Sequence, residues 1–311
     1  MKNIVRKTAA LSVGLALVLT ATACNRGEAS ADGGKVTMAI STLNNPFFVD
    51  LRDGAQEEAT KAGLELTIVD AQNDSATQAN QLATAATDGS VGVIINAVDS
   101  DAAVAALAPV TGADLPIVSV DRSVGDVKVA SFVASDNVAG GEQAATALAE
   151  KLGGKGKIIV LEGVPGASST NERGEGFTKG LAAFPDIEVI SSQPANYDRA
   201  KALDVSTNLL QGNPDVAGVL AMNDEMALGA IQALGDKAGK SVSVVGFDGT
   251  ADGFTAVTKG TLLATIAQNP AELGRQSVQI ISKSLAGKDV EATVSVAVNT
   301  VTSKNVGEFT K

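Results

Sequence analysis

The sequence predicts an α/β protein made of two doubly wound parallel-sheet lobes. Three observations carry that prediction. Ten or so short apolar runs alternate with stretches of helical periodicity between residues 36 and 285. The runs are apolar almost throughout, as strands covered on both faces are, and do not alternate in and out. Ten strands also exceed what one open sheet comfortably holds, so they divide between two sheets, each with its own core. The composition agrees: 45% of residues are hydrophobic but only 3% are aromatic, which suits close helix-on-sheet packing by small side chains.

In chain order, VTMAI (36–40) is the first strand. A helix over 48–62 follows, ended by Gly63 as a C′ residue. LELTIV (64–69), a helix over 75–87, GVIIN (92–96), PIVSV (116–120) and KVASFV (128–133) complete the first group. A helix over 138–152 leads to KIIVLEG (157–163), a helix over 171–183 and IEVISS (187–192). Next come a helix over 198–210, VAGVLAM (216–222), a helix over 224–234, SVSVVGF (241–247), LLATIA (262–267) and a helix over 270–285.

The first residues form a leader. Lys2, Arg6 and Lys7 precede an apolar stretch over 9–19, too short to span a bilayer comfortably, and small residues then lead to Cys24. Residues 1–23 therefore read as a secretory signal peptide. The Ala21-Thr22-Ala23-Cys24 junction resembles a lipobox, although that motif usually has Leu where Ala21 stands. Cys24, the only cysteine, is the expected lipidation site, and residues 24–35 are a flexible tether. Removing the leader takes away three cations and no anions, so the net charge moves from −11 to −14.

Several function classes fall away. The chain has no histidine, which excludes His-based triads and the commonest metal ligand. One cysteine makes no internal disulfide and no Cys-rich metal site. No basic run exceeds two residues, so nucleic acid is not an expected partner. No GxxxxGK[ST] run is present, and no cofactor is expected.

In parallel sheets, ligands bind beyond the carboxyl ends of the strands. Those ends carry Ser41-Thr42-Leu43-Asn44-Asn45-Pro46-Phe47-Phe48 after the first strand and Asp121-Arg122 after PIVSV. A Gly/Ser-rich loop and then Asn171-Glu172-Arg173 follow KIIVLEG, Asn223-Asp224-Glu225 follow VAGVLAM, Asp248-Gly249-Thr250 follow SVSVVGF, and Gln268 follows LLATIA. Carboxylates, amides and guanidinium groups match a ring of hydroxyls, and aromatic rings match the C–H face of a sugar. Each residue also has a plain structural reading. The Phe pair could staple a helix start. Asp121, Asn223 and Asp248 could be helix N-caps, with Asp224 the better cap beside Asn223. The arginines could form surface ion pairs, and Gln268 could bond a strand-end carbonyl.

The stretches STLNNPFF (41–48), ASDNVAGG (134–141), ERGEGF (172–177), NDEMALGA (223–230), VVGFDGT (244–250) and ATIAQ (264–268) together resemble the sugar receptors of bacterial ABC importers, in the periplasmic binding protein superfamily. The resemblance covers nearly the whole chain beyond the tether. It implies two lobes joined by three crossovers, over 36–135 plus 269–297 and over 136–268 plus 298–311. It implies hinges at Ser135, Asp136, Gln268 and Asn269, near 298–299 as well. It places Asn45, Phe47, Phe48, Asp121 and Arg122 on the first lobe, and Arg173, Tyr197, Asn223 and Asp248 on the second, with Gln268 at a crossover. Tyr197 departs from the Phe expected there, and its hydroxyl needs a partner.

The implied function is an extracytoplasmic, lipid-anchored monomer that captures one monosaccharide, D-ribose first, and delivers it to an ABC permease. The alternatives are a receptor for allose, galactose or a furanose-like signalling molecule; a glycosidase using Asp121 and Asp248; and a sugar-responsive regulator. The last needs an N-terminal DNA-binding segment where the leader stands. A galactose-type receptor is expected to carry a Trp and an oxygen-rich calcium loop, and the sequence has neither.

Overall fold

The structure, a computed structural model, describes residues 33–310. The expected signal peptide, Cys24 and most of the expected tether lie outside the described residues. The chain runs β1 (Gly33–Ile40), α1 (Pro46–Ala62), β2 (Leu64–Asp70), α2 (Ser75–Ala85), β3 (Gly92–Ile95), the short α3 (Ala102–Ala106) and α4 (Ala108–Gly112), β4 (Ile117–Val120) and β5 (Ser131–Ser135). It then crosses to α5 (Asn137–Lys151), β6 (Lys155–Glu162), α6 (Ser168–Leu181), β7 (Asp186–Pro194), α7 (Arg199–Gly212), β8 (Val216–Ala221), α8 (Asp224–Leu234), β9 (Ser243–Asp248), α9 (Ala251–Lys259) and β10 (Ala264–Ala267). It returns through α10 (Pro270–Leu285) to β11 (Thr293–Val296) and crosses again to β12 (Asn299–Thr302).

Two six-stranded sheets result, in the orders β2-β1-β3-β4-β5-β11 and β7-β6-β8-β9-β10-β12. Within each, the first five strands follow one doubly wound order, 2-1-3-4-5, whose ligand crevice lies where the order reverses, at the carboxyl ends of the first and third strands. Every pairing is parallel except β10 with β12. In the first lobe, one face packs α1 and α10 through Leu51, Ala55, Leu273 and Ile281, and the other takes Leu82, Leu107 and Val110. The second lobe has one continuous core around Leu148, Ile159, Leu220, Val245 and Phe247. Among the described residues no helix is long and apolar enough to cross a membrane.

The two-sheet α/β architecture stands as the sequence predicts. Some edges differ. β1 begins at Gly33, so residues 33–35, expected as tether, belong to the sheet, where Gly33 pairs with Leu64. The α1 helix begins at Pro46, with Asn45 as N-cap, because Pro has no N–H to lose at the first helical position. Its end at Gly63, at φ 68°, is the expected left-handed C′. The run at 128–133 yields a strand displaced to Ser131–Ser135. β11 and β12 lie outside the apolar runs because they are edge strands with partly exposed side chains.

The chain passes between the sheets three times: after Ser135, after Ala267 and after Val296. Asp136 caps α5 by accepting from Ala139 N, and Asn269 caps α10 by accepting from Glu272 N. Both crossover side chains thus hold helix starts.

Candidate ligand site between the two sheets

The carboxyl ends of both sheets face one cleft. On the first lobe, Phe47 and Phe48 occupy the first turn of α1, buried, with their rings edge-to-face at 5.1 Å. Asn45 Oδ1 accepts from Phe47 N at 3.0 Å, so its carbonyl serves the cap and its amide NH2 is what remains for a ligand. Asp121 follows β4 at φ 64°. Its Oδ2 accepts from Asn96 Nδ2 at 3.1 Å and lies 3.6 Å from Arg122 Nε. Arg122 donates Nη1 to Ala97 O at 2.9 Å, and its guanidinium lies over the rings of Phe48 and Tyr197 at 5.4 and 5.5 Å.

On the second lobe, the Arg173 guanidinium stacks on Phe247 at 3.8 Å. It donates Nε to Asn137 Oδ1 and Nη1 to Met222 O, and it lies 3.5 Å from Asp248 Oδ1. Asp248 ends β9 at φ 110° and accepts from Gln268 Nε2 at 2.7 Å. The Tyr197 hydroxyl finds the partners it needs in Ser169 and Thr170.

Asp121 and Asp248 are not helix caps: Thr250 caps α9 instead. The expected exchange between Asn223 and Asp224 is overturned. Asn223 is the N-cap of α8, accepting from Met226 N at 2.9 Å, because it is the last extended residue before the helix. Asp224 turns inward, where Oδ2 accepts from Thr250 N and Oγ1. The arginines are not surface pairs; both are buried.

Seven of the ten sequence-predicted residues line one cavity: Phe47, Phe48, Asp121, Arg122, Arg173, Tyr197 and Asp248, joined by Ser169. They line a tight crevice with about 10 Å³ of free space, room for about one water. Asn45, Asn223 and Gln268 flank it. Four buried atoms of these residues have no protein partner: the acceptors Asp121 Oδ1 and Gln268 Oε1, and the donors Arg122 Nε and Asn223 Nδ2. A buried polar atom without a partner costs about 1–3 kcal/mol, so such a set at one cleft marks bonds reserved for something that enters it. Asp121, Asn196, Tyr197 and Asp248 are four of the seven described non-glycine residues at positive φ, backbone strain of the kind that gathers at functional sites.

Sequence reasoning does not single out Asn96, Asn137, Glu172 and Ser169. Asn96 holds Asp121. Asn137 holds Arg173 and also donates to Glu172 Oε2. Asn96 ends the run GVIIN, so the same strand-end rule reaches it; Asn137 carries no comparable signal. Among the described residues no cluster of His, Cys, Asp and Glu could hold a metal.

Burial is the leading cause that raises the three inner carboxyls. Asp121 moves up, against the pull of Arg122 and Arg173. Asp224 is pushed up to about 6, against hydrogen bonds from Thr265 and Thr250. Asp248 is pushed up to about 8, with Arg173 opposing and Asp224 adding. Between about pH 4 and 8 the folded chain therefore holds protons that the unfolded chain has released. That contribution to stability is present at the low end and is lost as pH rises through the folded values, by up to about 1.4 kcal/mol per unit per group. The melting temperature of the sugar-free protein is expected to fall between pH 5 and pH 8. Asp248→Asn should flatten the decline over the whole window, and Asp224→Asn its lower part. A melting temperature that rises over this range contradicts the assignment.

Two α/β lobes with one polar, ring-floored cleft between their strand ends define a two-lobed binding protein. Residues 36–289 match the family model described as a periplasmic binding protein domain, and the chain belongs to that family. It is 47% identical over 258 residues to the ribose import binding protein RbsB of Escherichia coli (strain K12), covering 83% of this chain and 86% of that protein. It is 44% identical over 269 residues to RbsB of Bacillus subtilis (strain 168), covering 86% and 87%. Among solved structures, it resembles an ABC transporter periplasmic solute binding protein of Actinobacillus succinogenes 130z with bound D-allose. There the TM-score is 0.82 at 29% identity, with 88% of this chain and 99% of that one covered. The resemblance drawn from the sequence is borne out. The paired-carboxylate hydrolase alternative falls with it: the chain is a solute-binding protein and not an enzyme.

Proposed function

We propose that the chain binds one D-ribose in the cleft between its sheets and delivers it to the permease of an ABC importer. The observation that carries this is the set of four unpartnered buried atoms: Asp121 Oδ1 and Arg122 Nε in the ring-floored wall of the cleft, Gln268 Oε1 on the residue bonded to Asp248, and Asn223 Nδ2 next in the chain to Met222, which Arg173 holds. Hydroxyls both donate and accept, so a polyol satisfies all four at once, whereas an anion could use only the donors. Relatives named for ribose import support ribose over other monosaccharides.

Asn45, Asn223, Arg122 and Arg173 are the donors to the sugar in this proposal. Asp121, Asp248 and Gln268 are the acceptors, and Phe47, Phe48 and Tyr197 are the stacking surfaces. Closure turns at the crossovers through Ser135-Asp136, Gln268-Asn269 and near residues 298–299. Each lobe supplies part of the contacts, so only the closed form satisfies the whole sugar, and a permease can read that form. Export by the leader, lipidation at Cys24 and a monomeric state complete the proposal. It is tested by thermal shift against D-ribose, D-allose, D-galactose, L-arabinose and myo-inositol. The largest upward shift is expected with D-ribose; a larger shift with D-allose or D-galactose would transfer the proposal to that sugar.

A further inference from the structure

The Tyr197 ring faces the cleft, but its hydroxyl faces the loop between β6 and α6. Ser169 Oγ lies 3.2 Å from the Tyr197 oxygen and Thr170 Oγ1 lies 3.0 Å from it. Thr170 Oγ1 is also 2.9 Å from the carbonyl oxygen of Val164. The three hydroxyls form one relay: Thr170 Oγ1 has a single proton to give to the Tyr197 oxygen or to the Val164 carbonyl, and the Tyr197 hydroxyl can donate to Ser169 Oγ. The ring lies so close to Gly163 that a Cβ there would sit 2.1 Å from Tyr197 Cζ. The backbone of Tyr197 is itself left-handed, at φ 59°. The residue thus supports the loop from below by contact and by hydrogen bonding.

The far side of the same loop meets the other lobe. Ser100 N donates to Gly166 O at 3.0 Å, Ser168 N donates to Ser100 Oγ at 3.2 Å, and Ser123 N donates to Ser168 Oγ at 2.9 Å. Gly166 sits at φ 85°, where a Cβ would come within 2.2 Å of an Asp99 carboxylate oxygen. These three hydrogen bonds join the lobes through protein alone. They exist only while the lobes are together, and no sugar atom takes part in them.

We infer that the Tyr197 hydroxyl is a positioning group: through Ser169 and Thr170 it holds the 163–168 loop where Gly166 and Ser168 latch the first lobe over the bound sugar. This rests on the sugar-binding reading above. It assigns the hydroxyl to retention of the sugar, not to the choice of sugar. The latch strengthens the closed state alone, so it slows release and leaves capture nearly unchanged.

Tyr197→Phe keeps the ring and removes the relay. With whichever monosaccharide the wild-type protein binds, stopped-flow measurements are expected to show release faster by about 2- to 13-fold, the scale of one lost hydrogen bond. The association rate and the order of sugar preference should not change. Ser168→Ala should act in the same direction. The double variant should fall short of the product of the two, because both cut one chain of contacts. Unchanged release, an altered sugar order, or effects that simply multiply would each overturn the proposal. A wild-type protein that binds none of the sugars defeats the sugar reading, and the latch is then decided by hydrogen exchange in the sugar-free protein. Faster exchange across residues 163–170 in Tyr197→Phe supports the relay, and identical exchange refutes it.

Discussion

Asp248→Ala is expected to weaken sugar binding roughly 30- to 10⁴-fold, because two sugar hydroxyls buried in the cleft lose their partner at about 1–3 kcal/mol each. Its carboxyl stands at the meeting point of β9, the crossover at Gln268 and the Arg173 guanidinium. Folding should survive. Arg173 keeps its bonds to Asn137 and Met222 and its stack on Phe247, and the field of Asp121 remains. Removing a carboxyl that burial pushes up to about 8 also removes a desolvation cost. Asp248→Asn separates charge from shape, since Asn tolerates positive φ better than Ala does. Calorimetric titration of both variants, beside circular dichroism, reads the two effects apart. Affinity retained in Asp248→Ala would show that the site lies elsewhere.

Arg173→Ala is expected to damage binding and stability together. The side chain is buried, and it is the group that Asn137, the Met222 carbonyl and Asp248 share. Its removal strands a carboxylate, a carbonyl and an amide in the interior and leaves a cavity against Phe247. Breaking a buried pair from one side costs about 3–5 kcal/mol, which lowers the melting temperature by roughly 6–20 °C in a chain of this size. Arg173→Lys should rescue little, because an ammonium cannot serve three separate acceptors from the plane that stacks on Phe247. A melting temperature within two or three degrees of wild type would remove Arg173 from the account as the keystone of the second lobe.

Much of the fold was legible because its strands are buried on both faces. VTMAI, GVIIN and VAGVLAM can hardly be anything but inner strands, and each becomes one. The edge strands TVSV and NTVT are half-exposed and short, so their sequences carry no continuous apolar signal. Site residues were legible where they stand at strand ends, as Asp121, Asn223 and Asp248 do. The choice between Asn223 and Asp224 was not. It depends on which residue is the last extended one, φ −155° at Asn223, and a sequence pattern does not resolve one position.

Asn96 and Asn137 act by holding other side chains, a role visible only when partners distant in sequence are brought together. The same is true of Ser100 and Ser123, two ordinary loop serines, and of Ser168 at the start of α6, until the lobes meet. Tyr197 shows the limit from the other side. Its departure from Phe was plain in the sequence, but the direction of its hydroxyl, toward Ser169 and Thr170, was not.

The most direct test of the central claim is calorimetric titration of the protein with D-ribose, with Asp248→Ala as the control. One saturable site per chain, tighter for D-ribose than for D-allose, D-galactose, L-arabinose or myo-inositol and lost in the control, is the expected result. No heat with D-ribose beside saturable binding of another of these sugars, or equal binding by Asp248→Ala, would contradict it.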